Sequence, residues 1–179
     1  MSGDSFPLAL PLGQLEPTGG EVSSLYRELR RPLLRYLVCL GLSADEAQDV
    51  IQDAFLTLHR QLSAGGSKDN VRGWLFRVAH NGARNRQKRY ERRCTEPLRG
   101  DGPSIADAVT PEDTVMKRER FRRLNRALRE LTDRERECVL LRAEGLRYRE
   151  IGDVLNIPTS TVADVVERAI RKLAEPADV

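Results

Sequence analysis

The sequence predicts an all-α protein built as two small helical domains joined by a flexible linker. Three observations carry that reading. Apolar residues recur at helical intervals over most of the chain. The pairs Ser43 with Glu46 and Thr132 with Glu135 both show the spacing of a capping box. Pro97, Gly100, Gly102, Pro103 and Pro111 interrupt the periodic pattern between Thr95 and about Glu112, in the composition and length of a linker. The 179 residues suffice for one domain or two small ones, and 40% hydrophobic content is enough for a core.

In chain order, residues 1–20 are rich in Pro and Gly without period and read as a flexible tail. Residues 21–94 form the first domain. Val22, Leu25, Leu29, Leu33 and Leu37 recur at helical spacing, and Pro32 inside them predicts a kink or two abutting helices. Ser43 caps the next helix, whose stripe of Ala47, Val50, Ile51, Ala54, Phe55, Leu58 and Leu62 is continuous to Leu62. Asp45, Glu46, Asp49, Gln52 and Asp53 crowd its start. Acids there suit the helix dipole, but Asp49, Gln52 and Asp53 extend beyond the first turn, away from the stripe, as a docking face for a basic partner also would. After the loop of 63–70 comes VRGWLFRVAHNGARNRQKRYERR. Its first half carries Val71, Trp74, Leu75, Val78 and Ala79 on one stripe, and its second half is basic.

The second domain, 113–175, opens on an Arg-rich helix with Phe121, Leu124, Leu128 and Leu131 inward. Thr132 caps a helix that carries Val139, Leu140 and Leu141 and stops at Gly145. Tyr148 to Leu155 makes a short helix with Ile151, Val154 and Leu155 inward, and Asn156-Ile157-Pro158 is a turn. Thr159 or Ser160 caps a last helix, with Val162, Val165, Val166, Ala169, Ile170 and Leu173 toward the core. Two short helices joined by a tight turn are the helix-turn-helix pattern, which helical hairpins without DNA duties share.

Charge separates the function classes. The chain has a net charge of only +3, yet eight basic residues face one acid over Arg72–Arg93. A packed helix running into Arg, Lys and Asn, with Tyr90 among them, suits a surface that grips phosphates and inspects bases; a solvated charged face is the plainer alternative. Cys39, Cys94 and Cys138 are widely spaced and, with only His59 and His80 besides, argue against a zinc site or a disulfide framework. Cys39 and Cys138 read as buried thiols, and Cys94 as an exposed one open to redox chemistry. No nucleophile–base pairing, metal-ligand spacing or phosphate-cradling glycine loop is present, so no catalytic residue, metal or cofactor is expected. No run approaches the length of a membrane span, and MSGDSFPLALPLG lacks the basic start of a signal peptide, so the expected compartment is the cytoplasm.

Taken together, ADEAQDVIQDAFLTLHRQL, the stretch VRGWLFRVAHNGARNRQKRYERR and LTDRERECVLLRAEGLRYREIGDVLNIPTSTV resemble three motifs of bacterial sigma factors of the extracytoplasmic-function group, in the family's order. The resemblance spans nearly all of Leu25 to Leu173. It implies that residues 21–94 are sigma region 2 and 113–175 sigma region 4, in an alternative sigma factor that directs core RNA polymerase to promoters and promotes melting. It implies that Asp45, Glu46, Asp49, Gln52 and Asp53 meet the clamp of the largest polymerase subunit, the flap being a further contact. Trp74, Arg77, Asn81, Arg84, Asn85, Arg86, Lys88, Arg89, Arg92 and Arg93 would read the minus-ten element and hold a flipped base. Arg147, Tyr148, Thr159, Ser160, Thr161, Asp164, Arg168 and Arg171 would address the minus-thirty-five element. An anti-sigma factor is the further partner it implies.

This chain departs from the family where the last helix usually begins Gly-Thr-Val and places basic residues at the positions of Ala163 and Val165. Asp164 and Glu167 lower its charge further, which predicts weak duplex binding unless Arg142, Arg147 or Arg149 compensates. Gly152 stands where a small Ala is usual, a change expected to be harmless. Two other readings fit the residues: a helix-turn-helix regulator that recruits no polymerase, and a sigma-like chain that occupies the polymerase clamp and blocks it.

Overall fold

A computed structural model of the chain describes residues 16–67, 69–93 and 126–174. The expected tail and linker, Phe121, Leu124 and Cys94 fall outside or largely outside these limits, as do the side chains of Arg92 and Arg93. Among the described residues the regular structure is helical: α1 (Glu16–Cys39), α2 (Ala44–Ser63), α3 (Val71–Arg93), α4 (Asp133–Ala143), α5 (Tyr148–Leu155) and α6 (Thr159–Ala174).

Helix α1 runs unbroken through Pro32 and starts at Glu16, ahead of the position the apolar spacing suggested. It buries Leu29, Leu33, Tyr36 and Leu37 completely or nearly so. Gly41 ends it at φ +101, a conformation that costs glycine little and other residues much. The turn there donates Gly41 N–H to Val38 O (2.9 Å) and Leu42 N–H to Leu37 O (3.2 Å), the Schellman pattern. Helix α2 opens with the expected capping box: Ser43 Oγ accepts from Glu46 N–H (3.2 Å) and Glu46 Oε2 accepts from Ser43 N–H (2.9 Å). Its stripe, Ala47 through Leu58, is buried as the periodicity required.

In the C-terminal half, α4 carries the second capping box, Thr132 with Glu135. The Glu135 carboxylate also accepts from Lys172 Nζ (2.9 Å) on α6, tying the first turn of α4 to the last turn of the chain's final helix. The Lys172 hydrogen bond first, then Thr132, holds its pKa at about 2. Arg136 closes the preceding turn by donating to Leu128 O (2.9 Å) and Leu131 O (3.2 Å). Helix α5 ends at Asn156, in the left-handed conformation at φ 54.

Two points of the sequence reading change here. Ile170 is 55% exposed, because Val162, Val165, Val166 and Ala169 already fill the arc of α6 that meets α4 and α5. Neither Thr159 nor Ser160 caps α6: Val162 N–H donates to Pro158 O (3.1 Å), which puts Pro158 at the N-cap and the hydroxyl residues inside the first turn.

The two halves pack against each other, α1 on α4 and α3 on α5. Buried residues of both belong to one continuous hydrophobic cluster.

Candidate nucleic-acid interface

Helix α3 is started by Asn70, whose Oδ1 accepts from Gly73 N–H (3.2 Å). The arc it buries is Leu75, Phe76, Ala79, His80 and Ala83. That arc is rotated from the predicted stripe: Val71, Trp74 and Val78 are only half-buried, and Phe76 and Ala83 join the core. The physical reason is that α3 packs against α1, α2 and α5, so more of its circumference is covered than one stripe would provide.

His80 is the polar member of this arc. Its Nδ1 shares a hydrogen bond with the Tyr36 hydroxyl (2.8 Å). Burial, then the nearby guanidinium groups of Arg84 and Arg134, push its pKa down to about 4. Tyr36 also stands edge-on to Phe76, with ring centroids 5.6 Å apart.

Opposite the buried arc, Arg77, Asn81, Asn85, Lys88 and Arg89 are exposed. Their spacing of three or four residues lines them along one face, an exposed ladder of cations and amides suited to a phosphate backbone with bases beside it. Two predicted members are engaged elsewhere. Arg86 pairs with Asp49 (3.4 Å) and Asp53 (3.8 Å) on α2. Arg84 pairs with Glu137 of α4 and donates to Gln87 Oε1 (3.2 Å). Gln87 in turn donates to Leu40 O (2.8 Å), fixing α3 to the end of α1.

The acidic face of α2 is exposed at Asp45, Asp49, Gln52 and Asp53. Glu46 differs from them: Ser43 and Tyr90 hydrogen-bond its carboxylate, and these bonds outweigh burial to hold its pKa below the ordinary range. Leu56, 55% exposed, stands one turn beyond Gln52 and Asp53 and adds an apolar anchor that charge reading alone did not single out.

In the helix-turn-helix, Arg147, Tyr148, Thr159, Ser160, Thr161, Asp164, Arg168 and Arg171 are all exposed. Arg142 lies over the Tyr148 ring at 5.3 Å, and Arg171 pairs with Glu167 (3.0 Å) on its own helix. Of the cations of α6 expected to meet DNA, Arg168 has no such partner among the described residues, consistent with the thinned charge of that helix. The turn is tight: a Cβ on Gly152 would stand 2.7 Å from Ile157 O, so glycine here is a requirement of the backbone approach rather than a neutral replacement for alanine.

Four further residues escaped the sequence reading. Arg35 of α1 makes two hydrogen bonds to Glu144 (3.0 and 2.7 Å) at the end of α4. Arg72 of α3 donates to the Glu144 carbonyl. Glu137, 2% exposed, faces Arg84 through Oε1 and Arg134 through Oε2 (3.8 Å). Burial raises its pKa against the opposing pull of these two arginines. No local pattern marks the pairs that Arg35, Arg72 and Arg84 make with Glu144 and Glu137, because the partners are separated by the whole linker.

Among the described residues no cluster of His, Cys, Asp and Glu can hold a metal ion, and no helix is long and apolar enough to cross a membrane.

Comparison with known proteins gives the same two units. Residues 25–93 match the family model for sigma-70 region 2, and residues 121–173 that for sigma-70 region 4. The chain is 30% identical over 151 residues to the ECF RNA polymerase sigma factor SigW of Bacillus subtilis, covering 76% of this chain and 81% of that protein. It is 29% identical over 155 residues to the RNA polymerase sigma-H factor of Pseudomonas aeruginosa, covering 81% and 80%. Among solved structures, the sigma factor RpoE in complex with the anti-sigma factor NepR from Bartonella quintana matches with a TM-score of 0.65 at 20% identity, over 86% of this chain and 96% of that one. CnrH in complex with the cytosolic domain of CnrY matches with a TM-score of 0.62 at 21% identity, over 87% and 86%.

Proposed function

The chain belongs to the sigma-70 family of RNA polymerase sigma factors, in its extracytoplasmic-function group, and from that premise we propose how its residues do the work. It is an alternative sigma factor: it binds core RNA polymerase, directs it to specific promoters and promotes melting. It acts without covalent chemistry of its own and in the cytoplasm, where polymerase and promoter DNA are. Region 2 corresponds to residues 21–94 and region 4 to 113–175, with 95–112 as the linker between them.

The observation that carries the reading is the exposed ladder on α3. Arg77, Asn81, Asn85, Lys88 and Arg89, with Arg92 and Arg93 beyond, hold the phosphates of the melted minus-ten strand. Extruding a base costs a few kcal/mol, which stacking and hydrogen bonding at the half-buried Trp74 and the asparagines offset. Asp45, Asp49, Gln52 and Asp53, with Leu56 at their edge, dock on the polymerase clamp. Glu46 serves them as the cap that fixes the first turn of α2. Arg147, Tyr148 and the exposed face of α6 address the minus-thirty-five duplex, and an anti-sigma factor is the partner that sequesters the chain.

Transcription in vitro with core polymerase and genomic fragments tests the assignment. Specific start sites that vanish without the protein are expected. Core binding with no transcript would favour a blocking protein, and DNA retention without core binding a plain regulator.

A further inference from the structure

Helix α6 carries an acid in the middle of the face that turns away from the protein. Val162, Val165, Val166 and Ala169 fix which side of the helix is buried. Asp164 lies two residues from both Val162 and Val166, about half a turn from each, and so stands on the opposite side. It is exposed, and among the described residues no cation pairs with it. Glu167, the other acid of this helix, is held by Arg171 (3.0 Å), and Lys172 is held by Glu135 (2.9 Å). Asp164 is therefore the carboxylate of α6 left with its full acceptor capacity. One turn back stand Ser160 and Thr161, both small and exposed, so this face can approach a groove closely enough for a short side chain to reach a base edge.

A free carboxylate on a duplex-facing surface weakens binding to every sequence, because each phosphate repels it. Only a donor in the groove offsets that repulsion. In the major groove two bases supply one, cytosine through its N4 amino group and adenine through N6. On adenine the amino group sits beside the acceptor N7, which repels the second carboxylate oxygen. On cytosine the same-base neighbour is the C5–H edge, which does not. Guanine offers two acceptors and thymine an acceptor and a methyl group, so both oppose an aspartate. Asp164 thus adds little affinity and discriminates by what it rejects. Affinity for phosphates falls to exposed cations around it, Arg168 one turn on and Arg147 and Arg149 at the start of α5.

Resting on the sigma reading above, we infer that Asp164 makes cytosine the preferred base at one position of the duplex element that α6 reads, by accepting a hydrogen bond from the cytosine N4 amino group.

The test uses holoenzyme assembled from core polymerase and the full chain. It is offered duplex fragments of one promoter, randomised over the upstream element, and the bound fragments are sequenced. Wild type is expected to enrich cytosine about tenfold over the next base at one position, the effect of a single lost base contact. Asp164→Asn converts the acceptor into a donor–acceptor pair that matches adenine N6 and N7, so the preferred base at that position moves from cytosine to adenine while the other positions keep theirs. Asp164→Ala levels the preference there to within about twofold and tightens binding to the pool as a whole, since the repulsion is gone. A wild-type pool with no cytosine position overturns the inference. So does a cytosine preference that persists in both variants, which would leave Asp164 a repulsive charge and nothing more; neither result touches the sigma reading. If the wild-type chain supports no core-dependent start site, the sigma reading falls. The same selection from a random duplex pool with the full chain alone then decides, and absence of the cytosine preference there overturns the Asp164 assignment as well.

Discussion

Acidification strikes this fold at His80. The imidazole is buried and lies near two guanidinium groups, so the folded chain protonates it only near pH 4, against 6.5 for a free imidazole. Between these values the unfolded chain binds the proton more tightly than the folded one. Stability contributed by neutral His80 is therefore complete above about pH 6.5 and is lost progressively as the pH falls toward 4. The loss is about 1.4 kcal/mol by pH 5.5 and about 2 kcal/mol by pH 5. Urea unfolding of the full chain near pH 7, 6, 5.5 and 5 measures it, with His80→Gln as the reference. The amide can still bond Tyr36 but does not titrate, and the difference between the two proteins cancels the carboxylates that both share. The variant starts less stable and loses less on acidification, so the two curves converge by about 2 kcal/mol at pH 5. Parallel curves across this range would refute the reasoning.

Further outcomes follow from the same geometry. Gly152→Ala drives a methyl toward Ile157 O at 2.7 Å and should cost about 1–3 kcal/mol, seen as a lower melting temperature; an unchanged melt would mean that the turn relaxes freely. Glu135→Ala removes one side of the capping box and the partner of Lys172, for a loss of about 1–2 kcal/mol by chemical unfolding. Asp49→Lys with Asp53→Lys should weaken core polymerase binding tenfold or thereabouts, about 1.4 kcal/mol, in a surface-capture assay, and equal affinity would dismiss α2 as the docking face. Replacing Lys88 and Arg89 by Ala should lower promoter opening and shallow its salt dependence by about one to two log units per log unit of salt; opening at wild-type levels would leave the ladder a solvated face.

Much of the molecule was legible in the chain because its signals are local. The two capping boxes, the stripe of α2, the terminating glycines at 41 and 145 and the turn at Asn156 each depend on residues a few positions apart. Local rules misjudged places where a second element intrudes. The buried arc of α3 widened to Phe76, His80 and Ala83 because neighbouring helices cover a side that a lone amphipathic helix leaves to water, Tyr36 of α1 meeting both Phe76 and His80. Ile170 was displaced to the surface because α6 has room for only one apolar arc against α4 and α5. Gly152 looked interchangeable with alanine until the Ile157 carbonyl was seen beside it.

By itself, then, the sequence determined the helices, their caps, the segregation of acidic and basic faces and the family to which these motifs point, since periodicity and charge act over one or two turns. Tertiary structure alone decided which cations remain available. Arg84 and Arg86 belong to the same basic run as Arg77, Lys88 and Arg89, yet the first pair is taken by carboxylates on α4 and α2 while the others face solvent. An ion pair between Arg84 and Glu137 exists only when the chain brings together residues that lie on either side of the linker, and burial then makes that pairing obligatory for the carboxylate.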